Sequence, residues 1–403
     1  MGTDSRSKAD VTEKDLGGPF NTRKHLANAA LEAEKRRFAD LLIVDMDAHH
    51  YEHDSWKEIF EYVEDPVMRQ RLHAAAGRSG RTVLFPLPIG DQDVAGRLSR
   101  LPERLDEVVD GNQRHRDVEV VRRYMESMGI DYSILFPTPM LSLGMHPQAE
   151  VEVALARAYA RWLAERVLSV EPSIKTMLYL PFNDPAASHR MVEEFSDVPG
   201  VIGFMVTSVH HRQVHHNDYM RLYAALEERD MPLGFHAVYT WHGDRSMEQL
   251  NRFLSVHALA FPFYNMVHLT NWVINGIPER FPGLKAIWIE SGIAWLPFLM
   301  ERLDHQYMMR SSEAPLLTRR PSEYIREMYY TTQPLERGNL NFLKLAFDML
   351  NAETQLMYSS DYPHWDFDLP SAIYDLPFLD ERAKRGILGE NARRVFRLDE
   401  GGG

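Results

Sequence analysis

The sequence predicts an α/β protein built as one (β/α)8 TIM-like barrel, with a helical arm ahead of the first strand and a long insertion after it. Three observations lead there. A short apolar, β-rich run, then a loop, then an amphipathic helix recurs along the chain, which is the pattern of a parallel sheet covered by helices. Eight such runs can be counted, the number that closes a barrel. The 403 residues, 44% apolar and 26% charged, are enough to bury one large core of this kind.

Residues 1–20 mix Gly, Ser, Asp and Lys without periodicity and read as a tail. The Ala, Leu, Glu, Lys and Arg content of Asn21–Ala39 favours a helix, so residues 1–40 form a tail and arm. The strand runs are Leu41–Asp47, Asp131–Pro137, Lys175–Pro181, Val201–Thr207, Pro232–His236, Ala286–Glu290, Glu327–Thr332 and Gln355–Ser360. Between them, Val151–Val170 is the clearest helix, with Val153, Leu155, Ala158, Trp162 and Leu163 along one side. Met220–Glu228 and Leu340–Leu350 follow the same pattern. The span 51–128 is far longer than an ordinary strand-to-helix connection and is expected to build a lid or cap over the site. The barrel domain thus runs over 41–398, and 399–403 is a flexible end.

Composition removes several function classes. A net charge of −13 gives no basic field for a phosphate backbone or an anionic bilayer, so neither nucleic acid nor a membrane surface is an expected partner. With no cysteine, disulfides, thiolate nucleophiles, iron–sulfur clusters and Cys-ligated zinc are all unavailable, and any metal must be held by His, Asp and Glu. No apolar run is long enough to span a bilayer, and Met1–Gly18 is polar and mixed in charge, so the expected location is cytoplasmic. Neither GxGxxG nor GxxxxGK[ST] occurs.

The residues that can carry chemistry gather at strand ends. The first strand closes on VDMDAHHYE, and the two-residue spacing of Asp47 and His49 puts both on one face of a strand. Such a D-x-H pair can grip a cation, or Asp47 can cap a turn beside a surface histidine. His236 leaves the fifth run in PLGFHAVYTWHG, where a barrel collects its active-site groups, although a lone histidine there is more often a satisfied core residue. Asp361 occupies the equivalent edge of the eighth run in SSDYPHWD, beside Pro363, His364 and Trp365. Three strands delivering Asp47, His49, His236 and Asp361 to one rim make a plausible site for a single divalent metal.

These motifs, with NGIPERFPGLKAIWIESGIAWLPFLMERLD (275–304) and the closing ILGENARRVFRL (387–398), resemble the amidohydrolase superfamily. Within it they are similar to the branch holding aminocarboxymuconate-semialdehyde decarboxylase and the γ-resorcylate and other aromatic-acid decarboxylases. The resemblance covers roughly 41–398 and implies a distorted barrel with one divalent metal at its C-terminal face. It places the first-strand ligand pair on Asp47 and His49, the fifth-strand histidine on His236 and the final aspartate on Asp361. Asp47 stands where many relatives have His or Glu. Two carboxylates and two imidazoles suit Mn²⁺ or Fe²⁺, with Zn²⁺ also possible. Where many relatives have a histidine after the sixth strand, this chain has Glu290, which becomes the acid/base if it faces the metal; otherwise His268 or His242 takes that role.

The expected activity is non-oxidative decarboxylation of an aromatic or unsaturated carboxylic acid. The alternative is hydrolysis of an amide, lactone or C–C bond by metal-activated water, in which Asp361 or Glu290 takes the proton. A binding protein that has lost its proton-transfer residue is a third reading. Weaker signals surround the rim. In SVHHRQVHHND, His210, His211, His215 and His216 surround Arg212, and His211 is the member expected to reach a substrate. Phe182, Tyr239, Trp241 and Trp365 are candidate walls for an aromatic ring, and Arg310, Arg319 and Arg320 candidate carboxylate clamps or a solvated basic stretch. The expected partners are a small carboxylate or aromatic substrate and further copies of the chain, as a homodimer or higher homo-oligomer, with the arm around a neighbour.

Overall fold

A computed structural model describes residues 21–79, 109, 114–208, 210–238 and 244–398. Eight parallel strands form one sheet in sequence order: β1 (Val44–His50), β2 (Tyr132–Pro137), β3 (Ile174–Tyr179), β4 (Val201–Thr207), β5 (Leu233–His236), β6 (Ala286–Ile289), β7 (Tyr329–Thr331) and β8 (Leu356–Met357). The chain beyond β8 returns to β1. The Met46 amide donates to the Tyr358 carbonyl at 2.9 Å, Asp361 to Asp47 at 2.7 Å and His49 to Tyr362 at 2.7 Å. The eight strands are those the sequence predicts. The main shift is at β1, which starts and ends three residues later, so both Asp47 and His49 lie within the strand.

Helices alternate with the strands around the barrel. The arm helix α1 (Thr22–Arg36) is capped by Asn21, whose side chain accepts the Lys24 amide. Its buried Leu26 and Ala29 face α2 (Arg116–Met128) of the same barrel, and Arg36 pairs with Asp375. This part of the arm packs on its own chain, whereas Leu31 of the same helix stays 65% exposed. The helix α2 sits at the end of the span expected to form the insertion. It carries Asp117 and Glu119 in its first turn, favourable to the helix dipole, and stops at Gly129 in the left-handed region. A Cβ on Gly129 would lie 3.0 Å from the Phe38 Cβ, so glycine meets both the dihedral and the packing demand.

Residues 51–79 of the insertion contribute Trp56, Ile59 and Phe60 to the core. They are tied to α3 (Ala149–Leu163) by Glu64 with Arg157 and Arg161, and by the Trp162 indole donating to Glu58. A π-helical turn over Ala164–Leu168 extends α3, so the helix expected over 151–170 is present with one irregular turn. Then come α4 (Pro185–Phe195), α5 (Met220–Glu228), α6 (Phe253–Ile274), α7 (Leu296–Arg310), α8 (Leu340–Leu350) and α9 (Asn391–Phe396). The barrel interior is filled from the strands. A Cβ on Gly234 of β5 would come within 2.8 Å of Ile289, and the missing side chain is what lets Ile289 and Met177 meet there. Among the described residues, no helix is long and apolar enough to cross a membrane.

Candidate metal centre

The C-terminal ends of β1, β5, β6 and β8 converge, as they must in a barrel, and each brings a buried titratable side chain. The register of β1 on β2 shifts between Asp45 and Ala48, a bulge at the point where the strand must aim two ligand-type side chains inward. Asp47 Oδ1 lies 3.2 Å from His49 Nε2 and 3.3 Å from His236 Nε2. Asp361 Oδ1 lies 3.4 Å from His49 Nε2, and Glu290 Oε2 lies 3.3 Å from His236 Nδ1. One ligand atom from each of Asp47, His49, His236 and Glu290 falls within 4.8 Å of the others, and His49, Asp361 and His364 form a second such group sharing His49.

The two imidazoles are oriented from behind. His49 Nδ1 donates to the Pro137 carbonyl at 3.0 Å and His236 Nδ1 to the Ala237 carbonyl at 2.9 Å. A carbonyl only accepts, so each ring carries its proton on Nδ1 and presents the Nε2 lone pair to the centre, the arrangement a metal ligand needs. Asp47 Oδ2, His49 Nε2 and Glu290 Oε2 are buried without a hydrogen-bond partner. Orphaned buried polar atoms are costly, and three aimed at one point mark a place for a ligand. Glu290 and Asp361 both adopt positive φ, 55° and 63°. Such strain costs about 1–3 kcal/mol per non-glycine residue and is held here by the Glu290 amide donating to Thr331 Oγ1 and the Asp361 amide to Asp47.

The charges point the same way. Burial pushes the Glu290 carboxyl well above its ordinary range, and Asp361 and Asp47 nearby push it further. Burial also raises Asp361 strongly, with His49 opposing and Asp47 adding. At Asp47 burial acts upward too, but His236 and His49 outweigh it and hold the carboxyl well below the usual range. Burial and then His364 lower His49, whereas Asp47 overcomes burial to raise His236. Buried carboxyl groups this close repel one another when charged, and a divalent cation among them would relieve that repulsion. The donor set and its orphaned atoms fit one divalent ion, with carboxylate oxygen and imidazole nitrogen favouring a metal of the Mn²⁺ or Fe²⁺ type.

Residues 44–398 match the family described as Amidohydrolase. The chain belongs to the amidohydrolase family. It is similar to the γ-resorcylate decarboxylase of Rhizobium radiobacter, 23% identical over 302 residues that cover 71% of this chain and 90% of that one. The corresponding enzyme of Rhodococcus jostii is 21% identical, over 63% of this chain and 79% of its own. Among solved structures, 5-carboxyvanillate decarboxylase from Sphingomonas paucimobilis superposes with a TM-score of 0.64 at 21% identity, covering 89% of this chain and 99% of that one. A dihydroxybenzoic acid decarboxylase from Polaromonas, with manganese and the inhibitor 2-nitroresorcinol bound, gives 0.64 at 18% identity, over 89% of this chain and 98% of its own.

Asp47, His49, His236, Glu290 and Asp361 come together as the sequence suggests. His268 does not join them: it lies on α6, buried, with Nε2 donating to the Ser208 carbonyl at 2.8 Å. Phe182 is buried at the β3 exit, stacked on Tyr219 at 3.9 Å. In the histidine cluster it is His210 that turns inward. His211 is exposed, and its backbone amide donates to Asn183 Oδ1. Arg310 is a correction as well. Helices return toward the opposite end of the barrel, so the last residue of α7 is carried away from the rim, where its side chain is 67% exposed near Glu313. Tyr239, Trp241 and His242 lie outside the described residues. One member has no role readable from sequence: His364, whose Nδ1 lies 2.5 Å from Asp361 Oδ1 and whose ring packs on His49 at 4.5 Å. Its only signal is a place three residues after Asp361.

Proposed function

We propose that this protein is a metal-dependent non-oxidative decarboxylase of an aromatic or unsaturated carboxylic acid. The observation that carries the reading is the convergence of orphaned, buried Asp47, His49 and Glu290 atoms beside His236 and Asp361. The choice of decarboxylation over hydrolysis is supported by the chemistry named for the similar proteins. In this reading Asp47, His49, His236 and Asp361 hold the ion. A divalent cation held there would supply positive charge to offset the negative charge of the substrate and of the developing transition state.

The chain's own groups do the rest. The carbonyls of Pro137 and Ala237 keep both imidazoles in the ligating tautomer. Glu290 belongs to the same buried cluster as Asp47, His49 and His236, and its short contact is to His236 Nδ1, the nitrogen turned away from Asp47. We assign it the proton. As the bond from the carboxylate carbon to the ring or alkene carbon breaks, the electron pair stays on that carbon, Glu290 Oε2 delivers a proton there, and CO₂ departs. The cap segment over 51–79 is assigned the task of excluding water. Incubating manganese-loaded protein with a panel of hydroxybenzoates and their amides, with mass spectrometry of the products, tests the reading. A product lighter by CO₂ is expected; products split by water, with no CO₂ released from any acid, would replace it with a hydrolase.

A further inference from the structure

Next to the metal centre, at the β3–β4–β5 rim, lies a second buried polar group that the proton transfer does not use. The Ser208 amide donates to the carbonyl of His236 at 2.8 Å, and Ser208 Oγ accepts the Val238 amide at 2.9 Å, which locks the β4 exit to the segment that carries a metal ligand. His268 donates Nε2–H to the Ser208 carbonyl, and its ring stacks on His210 at 4.6 Å with the planes 24° apart. Phe182 closes the other side of His210 edge-on at 4.8 Å and is itself stacked on Tyr219. His210 is thus held between two rings, one strand over from His236.

His210 is 4% exposed, and neither ring nitrogen completes a hydrogen bond. The Arg212 backbone faces the ring as an acceptor, favouring its N–H, without completing a hydrogen bond. Burial, and then the neighbouring His268, depress His210 well below the ordinary histidine range; burial also brings His268 down to about 4. Both rings are therefore neutral. A neutral imidazole offers one N–H donor and one lone-pair acceptor that point in different directions; with the Arg212 backbone facing the ring as an acceptor, the buried lone pair is the atom left in need of a donor. A hydroxyl can donate to that lone pair; an ionised carboxylate, acceptor only, cannot.

We propose that His210 is a specificity-determining residue that binds a ring hydroxyl of the aromatic substrate, with Phe182 packed beside the same ring. This rests on the decarboxylase reading for the identity of the ligand, but not for its test. The probes are 2-nitroresorcinol and 2-nitrophenol, which differ by one hydroxyl, titrated by their visible absorption into manganese-loaded wild type, His210→Phe and His210→Gln proteins of verified metal content. The wild type should bind 2-nitroresorcinol at least 10-fold more tightly than 2-nitrophenol. His210→Phe, which keeps the ring stack, should erase that preference while changing 2-nitrophenol less than 2-fold, and His210→Gln, which keeps a donor and an acceptor, should restore part of it. An undiminished preference in His210→Phe, equal losses for both probes, or a wild type with no preference would overturn the assignment. If the preference behaves as expected but no hydroxybenzoate loses CO₂, the decarboxylase reading fails and the hydroxyl site at His210 stands.

Discussion

On one side of β1 and just past its end, His50 and Glu52 are fully buried, yet every polar atom has a partner. His50 Nδ1 meets Asp117 at 3.2 Å and its Nε2 meets the Tyr159 hydroxyl at 2.7 Å; Asp117 also accepts from Ser55 Oγ, and Glu52 accepts the Thr138 and Met140 amides. On the other side of the same strand, Asp47 and His49 are equally buried and keep unpaired atoms. Residue type and burial are the same on both sides. What differs is satisfaction, and this separates a structural cluster, which pins the insertion and α2 to the barrel, from a ligand site waiting for something outside the chain.

The sharpest way to break that contrast is Asp47→Asn. Loss of a direct ligand should lower manganese affinity by more than the roughly 10–100-fold typical of an outer partner, and turnover with it, while thermal stability of the metal-free protein holds or rises. Equilibrium dialysis with elemental analysis checks this; full metal retention would place the ion elsewhere. Next in size, Glu290→Gln should keep the metal and lose about 10²–10⁴-fold in turnover, read by steady-state kinetics alongside metal content. Metal loss in that variant would move Glu290 into the ligand set.

Crossing to the satisfied side reverses the signature. Asp117→Ala leaves His50 and Ser55 unpaired in the interior and should cost about 3 kcal/mol in urea unfolding, with metal bound per folded molecule unchanged. If stability holds and metal is lost, the division between the two clusters is wrong. The smallest effect concerns pH. Burial pushes the Glu52 carboxyl up to about 7, so the folded chain keeps a proton that the unfolded chain releases from about pH 4.5 upward. Stability should therefore fall as pH rises through that window, by at most about 1.4 kcal/mol per pH unit for this group. Glu52→Gln should reduce the slope without removing it, because burial raises Asp45 and Glu152 to about 7 as well. An unchanged slope would mean Glu52 is ionised in the fold.

The sequence by itself determined the barrel, because the period-2 and period-3.6 patterns that alternate along it are local properties, readable wherever a strand or helix buries one face. The same locality made Asp47 and His49 visible as a pair, since two residues on one strand share a face. His236 and Asp361 could be placed at a rim because a strand end is also a local feature. Only the tertiary structure decided which of these side chains lack partners. That is set by contacts such as Pro137 behind His49 and Ala237 behind His236, and by the close approach of Glu290 to His236 from a neighbouring strand. It also decided between His210 and His211, adjacent in the chain and alike in chemistry, where the turn after β4 buries one against His268 and Phe182 and leaves the other in water. It sent Arg310 away from the rim and packed Leu26 and Ala29 of the arm onto its own barrel. Partners distant in sequence fix whether a buried polar group is satisfied, and no window along the chain contains them.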